Sequence, residues 1–331
     1  MISLVKNLAK VISNIHRPNG EPNVFLFSTP RSGSTWLMEL IASQPAFKCC
    51  NEPLNLRKPL IRKHLGISEW EDLCRPEASA ALYRYFQAIC EGRLDFLNQN
   101  PLHRNYRLIT HRIVFKVIHG GEDRINWFRD SFNGRIVYLL RHPIAVSLSR
   151  KEQPRLEAFL NSDYSCHFTG DQLRRARKVL DSGTRLERGV LSWCFENALP
   201  LRQATRDWAI LSYEQMVQDP YPIIGYLADK LELPKPARIM SRLGVPSGSH
   251  WKSDTTTRTL LRQGPAKRSM LVEKSRNQLA QPEARRAMEI LQWFGLDVYD
   301  SDAVLPKTRF WVDPPVAATP LPDPAAKATE A

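Results

Sequence analysis

Along the 331 residues, short apolar runs of strand length alternate with longer stretches whose apolar positions recur at helical spacing. Four runs read as strands: Val24–Phe27, Ile113–Ile118, Ile136–Leu140 and Ala209–Leu211. They are rich in branched and aromatic residues and show little alternation with polar ones, as expected where a parallel sheet is covered on both faces. Between them the clearest helical stripe runs from Leu186 to Trp208, through Val190, Trp193, Cys194, Asn197 and Leu201, and another helix is signalled over Pro222–Leu231. The pattern predicts an α/β fold of three layers with a central, mostly parallel sheet. Residues 1–20 suit an amphipathic helix with Ile2, Leu4, Val5, Leu8, Val11 and Ile12 on its apolar side, either docked on the body or in peripheral contact with a membrane. Residues 21–304 form the expected single domain. Residues 305–331 are rich in proline and alanine and are expected to be a disordered tail.

Composition narrows the class. Apolar residues make up 43% and charged residues 24%, enough for a large core, and no apolar run is long enough to cross a bilayer. The first residues lack the continuous apolar centre of a signal peptide, so a cytoplasmic location is the default expectation. Six cysteines occur with no CxxC pair and no His/Cys cluster, which predicts reduced thiols and no metal site. The net charge of +13 favours phosphorylated small molecules, acidic lipid headgroups or other polyanions. Clusters such as Arg174, Arg175, Arg177 and Lys178 are dispersed and accompany no aromatic stacking platform, so they read as solvated helix faces and no nucleic-acid partner is expected.

Candidate chemistry starts at STPRSGSTWLMELI, residues 28–41, which follows a strand and opens a helix. Gly33 lets the backbone approach an anion, Ser34 and Thr35 offer hydroxyls and amides at a helix N-terminus, and Arg31 adds a cationic fork. The loop is P-loop-like but is no Walker A motif: the early glycine and the lysine before the hydroxyl residue are missing. A serine-rich cap on a buried helix is the plain alternative. PRSGSTWL resembles the 5′-phosphosulfate loop of the sulfotransferases that use 3′-phosphoadenosine 5′-phosphosulfate (PAPS). That resemblance implies that Arg31, Ser32, Gly33, Ser34 and Thr35 hold the phosphosulfate and that Trp36 packs on adenine.

Two further segments extend the resemblance. In IVYLLRHPIAVSLSR, residues 136–150, an arginine ends a strand and a serine follows eight positions on. This is similar to the family's 3′-phosphate site and implies Arg141 and Ser149, with Ser147 as the alternative serine. AILSYEQMVQDP, residues 209–220, resembles the segment in which Tyr213 would border adenine, while LRQG at 261–264 matches a further 3′-phosphate element only loosely through Arg262. Three motifs in order imply PAPS as co-substrate, with no metal.

The family's chemistry needs a base and a cation near the leaving oxygen. Glu52, in CCNEPLN after a helix expected to run out near Ala46, is the first choice for the base. The rival is His119 in VFKVIHG, three positions beyond Lys116 where cytosolic members place their histidine two beyond, a shift that reverses the face of a strand unless the strand has ended. Lys116 and Arg31 are the cations implied to steady the sulfuryl and leaving groups, and His111 is read as structural. The acceptor segments are 54–110 and 150–185, whose arginines and aromatics, among them Tyr83, Tyr85 and Phe86, suit a small-molecule, carbohydrate or lipid hydroxyl. A non-catalytic PAPS-binding protein and an ATP-dependent phosphotransferase are the competing readings.

Overall fold

The computed structural model describes residues 14–94, 96, 103–248, 270, 272, 273, 279–310 and 312. Its centre is a five-stranded sheet in which every neighbour is parallel. A short pair, β1 (Ile15–His16) and β4 (Ile109–Thr110), lies apart from the sheet's ladder. The sheet itself runs in the order β3 (Phe47–Asn51), β5 (Arg112–Val117), β2 (Asn23–Ser28), β6 (Gly134–Leu140), β7 (Ala209–Ser212).

Alternation along the central strand sorts its side chains onto two faces. Val24 and Leu26 join Val137, Leu139 and Leu211 in a core shared with α1 (Ser34–Ile41), α9 (Tyr213–Gln218) and α10 (Pro220–Lys230). Phe25 and Phe27 point the other way, where Phe25 stacks on Phe115 at 4.6 Å between ring centroids. That second core is completed by α3 (Ala78–Cys90), α4 (Ile125–Ser131), α5 (Pro143–Ser149) and α8 (Arg185–Gln203), with α2 (Pro59–Leu65), α6 (Leu156–Asn161) and α7 (Gly170–Ser182) at its rim. The short α11 (Ala237–Met240) follows α10, and α12 (Gln281–Trp293) closes the second layer against α8. The α/β three-layer expectation holds.

Element boundaries differ in places. The first helix stops at Ile41, because residues 42–46 turn back and the chain enters the edge strand β3, which the sequence pattern had not shown. The long helix begins at Arg185 behind a capping box of Thr184 and Glu187 and ends at Gln203, short of Trp208, while the helix expected over Pro222–Leu231 spans Pro220–Lys230. Ile15 and His16 are strand, so a helix over all of residues 1–20 is not formed; residues 1–13 lie outside the described part, as does Arg262. The segment set aside as a tail is anchored at its start by Phe310, which is only 2% exposed in the second core. Among the described residues no helix is long and apolar enough to cross a membrane, and no group of three or more His, Cys, Asp or Glu side chains is placed to hold a metal.

Candidate active site

Parallel strands bring their carboxyl ends to one rim, and the candidate residues follow those ends one after another. β2 leads into the loop before α1, β3 into Glu52, β5 into His119, β6 into Arg141 and β7 into Tyr213. Together they line a cleft of about 260 Å³ that includes Arg31, Gly33, Ser34, Thr35, Trp36, Glu52, Lys116, His119, Arg141 and Tyr213. Another hollow, between Ile144, Ala284 and Val304, measures about 30 Å³ and is too small for a nucleotide.

The loop turns sharply before α1. Arg31 and Gly33 both adopt left-handed backbone angles, φ 73° and 87°, and Gly33 caps α1 with no side-chain hydrogen bond to the helix amides. The first amides of α1 lie at the positive end of the helix dipole, and Gly33, Ser34, Thr35 and Trp36 line the cleft. Ser32 differs from expectation: it is fully buried, its hydroxyl is hydrogen-bonded to that of Thr29, and it shapes the loop rather than lining the cleft.

Behind the loop stands a chain of polar contacts. The buried Lys116 ammonium donates to Thr35 Oγ1 at 2.9 Å and to Glu52 Oε1 at 2.9 Å. Glu52 sits just beyond β3 at φ 58°, and its Oε2 accepts from Asn55 Nδ2 at 2.8 Å and lies 3.7 Å from His119 Nε2. Burial would raise the Glu52 carboxyl, but nearby His119 and the Lys116 ion pair outweigh it and hold the group well below the usual carboxylate range. Burial also lowers Lys116 and His119, each only partly offset by the charge of Glu52. His119 reaches this cluster because β5 ends at Val117, so strict strand alternation no longer governs its direction.

The opposite wall is aromatic and cationic. Tyr213 packs edge-on against Trp36 at 6.1 Å, and the Arg141 guanidinium lies 4.5 Å above the Tyr213 ring while donating to the Arg31 carbonyl at 2.8 Å. Among the described residues, Trp36 Nε1 and Arg141 Nε are buried without a hydrogen-bond partner. Buried donors of this kind ordinarily find acceptors, and here both belong to residues lining the cleft.

The serines after Arg141 do not join the cleft lining. Ser147 is buried, donates to the Pro143 carbonyl at 2.7 Å and packs against Gly189, which removes it as the alternative ligand. Ser149 is exposed and donates to the Val146 carbonyl. A residue that sequence reasoning had passed over, Arg150, supports the loop: its Nε donates to the Pro30 carbonyl at 3.1 Å, while its other nitrogens grip Glu196 at 3.1 and 2.7 Å. The available signal was Glu196 itself, an acid on the apolar stripe of a long helix, which needs a buried cation. His111 bonds the Arg17 carbonyl away from the cleft.

A family model described as the sulfotransferase domain matches residues 21–294. Among solved structures the chain is similar to the sulfotransferase domain from the curacin biosynthetic pathway, at 19% identity over 83% of this chain and 98% of that one with a TM-score of 0.43. It is similar also to the sulfotransferase domain of the Synechococcus PCC 7002 olefin synthase, at 19% identity over 86% and 98% with a TM-score of 0.41. A mouse sulfotransferase, SULT7A1 complexed with PAP, aligns at 14% identity over 87% and 88% with a TM-score of 0.39. No curated protein matches the chain.

Proposed function

The chain belongs to the sulfotransferase domain family, and from that premise we propose that it transfers a sulfuryl group from PAPS to an acceptor hydroxyl by in-line displacement. The observation that carries this reading is the bridge made by Lys116, which joins Thr35 of the anion loop to Glu52 beside His119 in a single cleft. PAPS, when bound, supplies the activated sulfuryl group and a stable phosphate leaving group. The amides of Gly33 to Trp36, with Arg31, hold the negative charge of the phosphosulfate, and Arg141 offers its guanidinium charge beside Tyr213 and Trp36. Lys116, adjacent to Thr35, neutralises charge that grows on the leaving oxygen. Positioning and charge supply most of the acceleration in such a transfer.

His119 takes the acceptor proton and Glu52 positions it. A carboxylate held far below its usual range, with both oxygens already accepting hydrogen bonds, is a weak proton acceptor; a buried neutral imidazole offers a lone pair of more suitable basicity. The order of preference suggested by the sequence motif is thereby reversed. Purified protein given labelled PAPS, labelled ATP and a pooled metabolite extract tests the function. Sulfuryl transfer from PAPS with no phosphoryl transfer from ATP is expected; PAP binding without any transfer would leave a binding protein, and transfer from ATP would overturn the reading.

A further inference from the structure

We propose that the face carrying Ile15, Leu108 and Ile109 seats the protein on an anionic phospholipid bilayer. The register of β1 and β4 sets Ile15 beside Ile109, and the Ile15 amide donates to the Leu108 carbonyl at 2.7 Å. All three side chains are exposed, Ile15 by 42%, Leu108 by 55% and Ile109 by 49%, so two backbone hydrogen-bonded segments present aliphatic rather than polar groups to the surroundings. Solitary exposed aliphatics are ordinary, but adjoining ones on paired strands are a patch.

The same segments bring cations. Arg107 directly precedes Leu108, and Arg242 donates to the Asn105 side-chain carbonyl, which ties residues 103–109 to the stretch after α11. Burial lowers the Arg242 guanidinium, and the charges of Arg104, Arg107 and Arg238 lower it further, so three other arginines lie within electrostatic reach of Arg242. Glu39 is the acid that faces them, and it is buried in a pair with Arg104. Met240, between Arg238 and Arg242, and Val245, just beyond them, add exposed apolar side chains to the second segment.

Guanidinium groups interleaved with bare aliphatics match one kind of partner best. A dissolved polyanion gains nothing from Leu108 or Ile109, whereas an anionic bilayer accepts aliphatics at its acyl boundary and guanidinium groups among its phosphates. The chain that enters β1 has the same character in sequence: residues 1–12 carry Lys6 and Lys10, no acid, and apolar Ile2, Leu4, Val5, Leu8, Val11 and Ile12. None of Ile15, Leu108, Ile109 or the four arginines lines the cleft, although Glu39, the partner of Arg104, lies on α1 within electrostatic reach of Lys116; the inference uses none of the residues of the proposed transfer.

Flotation of the full chain with vesicles of phosphatidylcholine alone, or mixed with phosphatidylglycerol, tests it. Binding is expected to the mixed vesicles only and to weaken as salt rises. Leu108→Ser with Ile109→Ser, and separately Arg107→Glu with Arg238→Glu, should each weaken binding by about tenfold or more. Arg107→Lys with Arg238→Lys should retain it, and melting temperatures near that of the parent would establish that the variants are folded. Absence of vesicle binding, or binding unchanged by both paired substitutions, overturns the inference. Retention on soluble heparin as strong as on vesicles, unchanged by the two serine substitutions, would also overturn it, marking a polyanion site instead.

Discussion

Gly33 is glycine for two separate reasons. Its φ of 87° lies in the region that side chains disfavour, and a Cβ there would stand 2.5 Å from Cδ2 of Tyr213, the ring on which Arg141 rests. Gly33→Ala therefore strains the loop and displaces the aromatic wall together, and ligand binding must restore both. Affinity for PAP is expected to fall by about ten- to a hundredfold, the equivalent of a few kcal/mol of local strain, with the protein still folded. Calorimetry checks this, and an unchanged affinity would mean that the loop does not hold the phosphate. The base is tested by pH. Because burial lowers His119, turnover should rise with pH through an inflection below the ordinary imidazole value and then level off, as the ring loses its proton. Glu52 raises His119, so Glu52→Gln should move that inflection to lower pH and reduce turnover, while His119→Asn should remove the inflection along with roughly a hundredfold or more of the rate. Were Glu52 the base, Glu52→Gln would abolish turnover and His119→Asn would leave a substantial part of it.

At the scale of elements, the loop depends on a brace that no motif describes. Arg150, immediately after α5, joins the Pro30 carbonyl to Glu196 on α8, and both side chains of the ion pair are nearly inaccessible. Arg150→Met leaves Glu196 buried and unpaired, which should cost about 3–5 kcal/mol in chemical denaturation. Adding Glu196→Met should recover most of that loss, because a well-packed apolar pair replaces a desolvated ionic one. The double variant still lacks the donor to Pro30, so its affinity for PAP is expected to stay reduced, and full recovery would show that the brace serves stability alone. Elements of this kind explain the division between what the sequence disclosed and what it withheld. β2, β5, β6 and β7 are legible because continuous branched and aromatic runs are needed where both faces are buried. β3 was illegible because its five residues, FKCCN, contain no β-branched side chain and place a charge, the buried Lys48, at the second position. Missing that strand moved Glu52 from a strand end to a helix end, although the motif had correctly drawn attention to the residue. Ser149 entered the site through the resemblance of its segment to the family's 3′-phosphate site, and at the end of α5 it is exposed and bonded to the Val146 carbonyl.

For the molecule as a whole, the decisive property is that one ligand would hold together parts of the chain far apart in sequence. The cleft draws on the end of every strand of the sheet, from the loop at Arg31 to Tyr213, and on α1 and α9 of the first helical layer. Two donors of its lining residues, Trp36 Nε1 and Arg141 Nε, are buried without a hydrogen-bond partner among the described residues. Binding to the folded state alone should therefore stabilise the entire domain. At a PAP concentration a hundredfold above Kd the gain is about 2.7 kcal/mol, and for a domain of this length that corresponds to a rise in Tm of roughly 5 °C. Adenosine 5′-phosphosulfate and ATP each lack the 3′-phosphate and should give smaller shifts at equal concentration. Arg141→Ala separates the contributions: it removes the cation against Tyr213, and if Arg141 receives the 3′-phosphate, the variant should respond to PAP no more than to adenosine 5′-phosphosulfate. Equal shifts by PAP and ATP on the parent protein would place no phosphate at Arg141 and would return the cleft to a general nucleotide site.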